Sequence, residues 1–149
     1  MSDFPLPAEW QENLENQWQQ YQEKLRALNI ESSLLESDEW QQPLRRVWGC
    51  SDFCFQAALR YPEMMERLVE SGSLTETYQQ GQMLSSLQAF CDGINDEGVL
   101  NQHLRQFRRR EMVRIAWRDI TGLADLKETT ADLSDLADAC LQLAHDRHY

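Results

Sequence analysis

The sequence predicts an all-α protein, an irregular bundle of about six to seven helices. Three observations carry that expectation. Apolar residues recur at the helical period along most of the 149 residues. No stretch alternates apolar and polar positions with the β-branched enrichment of a strand. Residues that cap, open or stop helices punctuate the apolar runs at matching intervals.

Residues 8–29 form the first predicted helix, with Trp10, Leu14, Trp18, Tyr21, Leu25 and Leu28 on one narrow stripe among Gln, Glu and Asn. A looser piece follows, and Pro43 suits the first turn of a short helix through Arg45 and Trp48. Ser51 reads as the N-cap of a helix carrying Phe53, Phe55, Ala58 and Leu59. Pro62 opens PEMMERLVES, which Gly72 closes, and the Tyr-Pro step bends the chain between those two helices. Residues 75–94 are expected as a helix with Met83, Leu84, Leu87, Phe90, Cys91 and Ile94 on one face, and NDEG (95–98) starts the next. In the last helix, capped by Thr129 or Thr130, Leu133, Leu136, Ala137, Cys140, Leu143 and Ala144 share a face. Asp132, Asp135, Asp138 and Asp146 are expected opposite them.

The densest signal is LRQFRRREMVRIAWRDITGLADL, residues 104–126. It reads as one helix ending at Gly122, and it holds Arg105, Arg108, Arg109, Arg110, Arg114 and Arg118 against the single acid Glu111 over residues 105–118. At roughly 100° per residue, Arg105, Arg108 and Arg109 lie together and Arg110, Arg114 and Arg118 lie opposite. Leu100, Leu104, Phe107, Met112, Val113, Ile115, Trp117 and Ile120 run among them, and a helix apolar nearly all round is buried by several neighbours. A buried guanidinium needs a partner. The first reading is therefore an internal helix whose arginines pair with acids, which the surplus in residues 1–100 can supply, and with helix C-termini. The second is an outward arginine group docking on a phosphate or an acidic surface, and the third a solvated charge run.

Charge and composition exclude much else. The net charge is -11, and residues 1–100 hold six of the 14 Lys and Arg but 17 of the 25 Asp and Glu. That acidity argues against nucleic-acid binding. No apolar run approaches the ~18 residues a membrane span needs. MSDFPLPAEW lacks the basic and apolar regions of a secretory signal, so the expected compartment is the cytoplasm. Cys50, Cys54, Cys91 and Cys140 are then expected as reduced structural thiols. Together with His103, His145 and His148 they make no set at metal-ligand spacing. Asp135 and Asp138 read as a solvated acidic face, and Gly81, Gly93 and Gly98 form no phosphate loop. No catalytic and no metal residue is assigned.

Three stretches resemble the glutamine synthetase adenylyltransferase/adenylyl-removing enzymes. They are SDFCFQAALRYPEMMERL (51–68), LRQFRRREMVRIAWRDITGLADLKET (104–129) and LSDLADACLQLA (133–144), and they stand in the family's order. The first 45 residues carry no recognised resemblance. The resemblance implies a nucleotidyltransferase that uses ATP and Mg²⁺ to attach AMP to glutamine synthetase and removes it by phosphorolysis, answering to the P-II signalling protein and glutamine. It also implies a helical region of this kind just upstream of each nucleotidyltransferase domain, and Met1 favours the first, deadenylylating half.

The family's Gly-x-Gly-Lys-Leu-Gly-Gly and Ser-(Ser)-Asp-x-Asp motifs are absent. Ser37-Asp38, Ser51-Asp52 and Ser134-Asp135 follow no glycine cluster. The chain is therefore expected to be one helical domain, residues 1–149, a scaffold and interaction segment without a cofactor of its own. Its expected partners are the downstream nucleotidyltransferase domain, glutamine synthetase and P-II. The alternative is a free-standing acidic helical interaction module.

Overall fold

The structure, a computed structural model, describes residues 8–148 apart from 33, 35 and 36. The side chains of Trp10 and His148 lie outside the described set. Among the described residues there are seven α-helices, two 3₁₀ turns and no strand, as the helical periodicity predicts. The chain divides into two compact units at Ser71–Gly72.

The first unit comprises α1 (Ala8–Ala27), a 3₁₀ turn (Asp38–Trp40), α2 (Gln41–Cys50), α3 (Asp52–Arg60) and α4 (Pro62–Glu70). Leu14, Tyr21 and Leu25 of α1 are buried, but Leu28 is half exposed. The helix stops first, and Asn29 turns into the left-handed region at φ 54°. Tyr21 and Phe55 meet Trp48 edge-on, with ring centroids 5.3 and 5.2 Å away. Ser51 is the predicted N-cap: it is extended, and its hydroxyl accepts from the Cys54 N–H at 3.2 Å. Pro62 stands in the first turn of α4.

A buried carboxylate joins these pieces. Glu66 of α4 accepts from the Tyr21 hydroxyl at 2.6 Å, the Ser32 hydroxyl at 3.1 Å and the Leu34 N–H at 3.2 Å. Burial, and then the Glu66 contact, push the Tyr21 phenol far above its usual range, so it stays a donor.

The second unit opens with a 3₁₀ turn (Ser73–Thr75), followed by α5 (Gln82–Phe90), α6 (Glu97–Ile120) and α7 (Leu126–His148). These helices enclose Met83, Leu87, Cys91, Leu100, Phe107, Ile115, Leu136, Ala139 and Leu143. The helix expected over 75–94 is shorter, beginning only at Gln82 after a left-handed Gly81 at φ 80°. The physical reason is competition for acceptors, because the carbonyls of Ser73, Leu74 and Glu76 go to arginine side chains.

Asp96, within the NDEG turn predicted to start the helix, caps α6 by accepting from the Val99 N–H at 3.0 Å, and Gly122 ends the helix in the left-handed region as predicted. The start of α7 differs from expectation. Asp125, not Thr129 or Thr130, accepts from the Glu128 N–H at 2.8 Å, which moves the helix start back to Leu126. The buried face of α7 is also rotated: Asp132, Leu136, Ala139 and Leu143 point inward, whereas Leu133 and Ala137 reach solvent. A buried ion pair at Asp132 accounts for the rotation.

Candidate functional site

The six arginines of α6 separate along its length. Arg105 and Arg108 are exposed, Arg109 and Arg110 are half-buried, and Arg114 and Arg118 are buried with 0% and 2% exposure. The helix is wrapped on several sides only in its second half.

Arg114 uses its whole fork. Its Nε donates to the Ser73 carbonyl at 3.0 Å, Nη1 to the Asp132 carboxylate at 3.2 Å, and Nη2 to the Glu76 carbonyl. Its guanidinium plane lies 3.4 Å from the centroid of the Tyr78 ring. Arg118, one turn on, pairs with Glu128 through Nε at 3.2 Å and Nη2 at 2.9 Å. The same side chain reaches the Leu74 carbonyl at 3.0 Å and the Thr77 hydroxyl at 3.2 Å. Planar, permanently charged forks suit this mixed set of carbonyl and carboxylate acceptors.

The acids are not those expected. The sequence reading drew them from residues 1–100, but Asp132 and Glu128 both come from α7. Residues 73–76 give only backbone carbonyls to the two guanidinium groups. Asp132 shares one face of α7 with Leu136, Ala139 and Leu143, an i, i+4, i+7, i+11 series that hydropathy alone does not single out because it opens on an acid. Burial raises the Asp132 carboxyl above its usual value, and the Arg114 charge opposes that rise.

Glu111 completes the buried polar set. It accepts from Arg110 at 3.0 and 2.9 Å and from the Tyr78 hydroxyl at 3.2 Å, all on one oxygen. Its second oxygen is buried without a hydrogen bond. Burial first and the Glu111 charge second push the Tyr78 phenol up to about 12. Tyr78 and Glu111 carried no readable signal, since one precedes a helix and the other is the lone acid of a basic run.

This arrangement locks α6, α7 and the 73–77 segment together. The three Ser-Asp pairs have other occupations. Ser37 accepts from the Glu39 N–H at 3.3 Å and Ser51 caps α3, while Ser134 and Asp135 are exposed mid-helix. None faces a glycine-built phosphate cradle, so these residues do not fit ATP with magnesium. All four cysteines are free thiols. Among the described residues, no three His, Cys, Asp or Glu side chains converge as a metal site. No described helix is long and apolar enough to cross a membrane.

The model of the glutamate-ammonia ligase adenylyltransferase family matches residues 41–149. The chain belongs to that family. Among relatives, it is 44% identical over 107 residues to the bifunctional glutamine synthetase adenylyltransferase/adenylyl-removing enzyme of Pseudomonas aeruginosa. That match covers 72% of this chain and 11% of the relative. The enzyme of the same name from Thioalkalivibrio sulfidiphilus is 41% identical over 107 residues, again 72% of this chain and 11% of the relative. The one from Shewanella loihica is 34% identical over 149 residues, all of this chain and 15% of the relative. No solved structure matches.

The chain thus spans 11–15% of these relatives, a short region of a long adenylyltransferase. The likeness also reaches further toward the N-terminus than the motifs did. The family match starts at residue 41, and the Shewanella loihica relative aligns over the first 45 residues too. Within the family region, the arginine helix and its partners on α7 form the structural centre of the second unit.

Proposed function

We propose that this chain is a helical scaffold segment of an enzyme that adenylylates and deadenylylates glutamine synthetase in nitrogen regulation. The observation that carries this reading is its family membership at a small fraction of its relatives' length, in relatives named for both activities. The buried arginine centre supports the same role, because guanidinium groups spent on carbonyls and carboxylates of their own unit build a rigid body.

On this reading, chemistry with ATP and Mg²⁺ belongs to another part of the polypeptide, a nucleotidyltransferase domain downstream. The segment presents surfaces to that domain and to glutamine synthetase, with P-II as a further partner, and the enzyme works in the cytoplasm. Arg105 and Arg108 are the arginines free to face an acidic partner surface.

Two measurements test the proposal. The purified 149-residue chain should neither transfer AMP from ATP to glutamine synthetase nor release it with phosphate, with Mg²⁺ present. A polypeptide extended through the next reading frame should carry a Gly-Lys-Leu-Gly-Gly motif and show that turnover. Turnover by the short chain, or an extended polypeptide inert in both directions, would refute it. A stop codon directly after Tyr149 would favour the free-standing acidic module.

A further inference from the structure

The rotation of α7 leaves an apolar stripe that the second unit does not bury. At roughly 100° per residue, Leu126, Leu133, Ala137 and Leu141 fall within about 80° of one another. The stripe is centred some 130° round the helix from the inward face of Asp132, Leu136, Ala139 and Leu143. Leu126 is 79% exposed, Leu133 41% and Leu141 70%. A single exposed leucine is ordinary on a protein surface. Three on one line about 22 Å long, with the small Ala137 between them, form a contiguous seam of the kind that takes a partner helix.

The seam has borders of opposite charge. On one side Arg108 of α6 lies close enough to Cys140 for its charge to act on that thiol. On the other side, about 60° past Leu141, lies the exposed acid Asp138. The complementary surface is a helix with an aliphatic stripe, an acidic flank toward Arg108 and a basic flank toward Asp138. A second copy is a poor occupant, since each brings a net charge of -11. Covalently attached chain is a better one. The 149 residues aligned in Shewanella loihica are 15% of that relative, so a large polypeptide is tethered to this region there at high effective concentration.

We infer that the Leu126–Leu133–Ala137–Leu141 face of α7 seats a helix from another part of the long enzyme polypeptide. This rests on the function proposed above, and it names the surface through which the segment would hold its neighbour.

The experiment uses the full-length polypeptide with photoreactive benzoylphenylalanine in place of Leu133 or Leu141, and in place of Gln142 on the acidic face as control. Irradiation and peptide mapping should give an intramolecular cross-link from 133 and 141, not from 142, to a segment outside residues 1–149. A cross-link only into residues 8–71, only to a second copy, or no stronger than at 142 overturns the inference. In the 149-residue chain, the double substitution Leu133→Asp and Leu141→Asp should leave Tm within about 2 °C of the parent, as for surface sites. A larger fall would make the stripe part of the core and overturn the inference as well. AMP transfer by the unsubstituted full-length polypeptide is read separately. If it is active without the cross-link, the seam alone fails. If it is inactive, the function fails, and the cross-link still decides the seam.

Discussion

The first unit buries a carboxylate among neutral donors, whereas the second buries guanidinium groups together with carboxylates. In the first, the Glu66 carboxylate takes hydrogen bonds from Tyr21, Ser32 and the Leu34 backbone, three neutral donors from two stretches of chain. In the second, the Arg114 and Arg118 guanidinium groups give hydrogen bonds to backbone carbonyls and to two carboxylates of α7. A carboxylate has two oxygens and only accepts, so it organises donors, which loops and hydroxyls supply. A guanidinium has five N–H groups and only donates, so it organises carbonyls, and these come from chain kept out of a helix. Hence α4 ties down Ser32 and Leu34, and α6 holds residues 73–76 in turn and extended form.

The sharpest break of that contrast is Arg114→Ala. It would leave Asp132 buried without its cation and free the Ser73 and Glu76 carbonyls, and it should cost roughly 3–5 kcal/mol in chemical denaturation. Arg114→Lys should rescue little, because a point charge cannot reach three acceptors that a planar fork spans. Arg118→Ala should cost less, since the Glu128 side chain is 24% exposed and can rehydrate. If Arg114→Ala unfolds at the parent's midpoint, the buried arginines do not hold the second unit together.

The matching change in the first unit is Glu66→Ala, which removes the shared acceptor of Tyr21, Ser32 and the Leu34 N–H. It should cost about 3 kcal/mol, and Tyr21→Phe, which removes one of those donors, about 1 kcal/mol. The first unit thus has the weaker lock. A Glu66→Ala loss larger than that of Arg114→Ala would reverse the ranking.

How much of this was readable differs between the units for the same reason. Helix existence was legible almost everywhere, because caps such as Ser51 and Asp96 and stops such as Gly122 act locally. The split of the arginines was legible only in part. Arg105 and Arg108 are exposed and Arg114 and Arg118 buried, but Arg109 and Arg110, which the angle sets on opposite sides, are both half-buried, because burial also changes along the helix. The partners were not. Asp132 looked like one of four acids on a wet face, and a pattern that ranks residues by hydropathy cannot rotate a helix toward an ion pair. The backbone acceptors at 73–76 have no sequence signature at all, and a helical period continued through them gave a helix that does not form. Glu66, likewise, sits in PEMMERLVE as one acid among three.

Asp132 offers a pH test of that rotation. Its carboxyl is held above the usual value by burial, so the folded state binds this proton more tightly than the unfolded chain does. The sign follows from linkage: stability from this group falls as pH rises from about 3.8 through the raised value, and is level outside that window. Each pKa unit of elevation is worth about 1.4 kcal/mol. Asp132→Asn should remove this component, so the stability of the parent relative to the variant should decline across the window. A relative stability that rises with pH there would mean Arg114 outweighs desolvation.

The smallest expected effect belongs to the exposed end of the arginine helix. Arg105 and Arg108 stand on the same helix as Arg114, carry the same charge and differ only in what surrounds them. Water already solvates their guanidinium groups, so Arg105→Ala and Arg108→Ala should each leave stability within about 0.5 kcal/mol. Removing one positive charge from a chain at -11 adds a little self-repulsion, which 0.5 M salt should erase. If these arginines instead meet an acidic surface of a neighbouring domain, the double variant should keep its melting temperature as an isolated chain yet lower that of the long polypeptide. A loss of several degrees in the isolated chain would place them inside the fold and end the distinction between the two halves of α6. An unchanged long polypeptide would leave the helix with only its buried half at work.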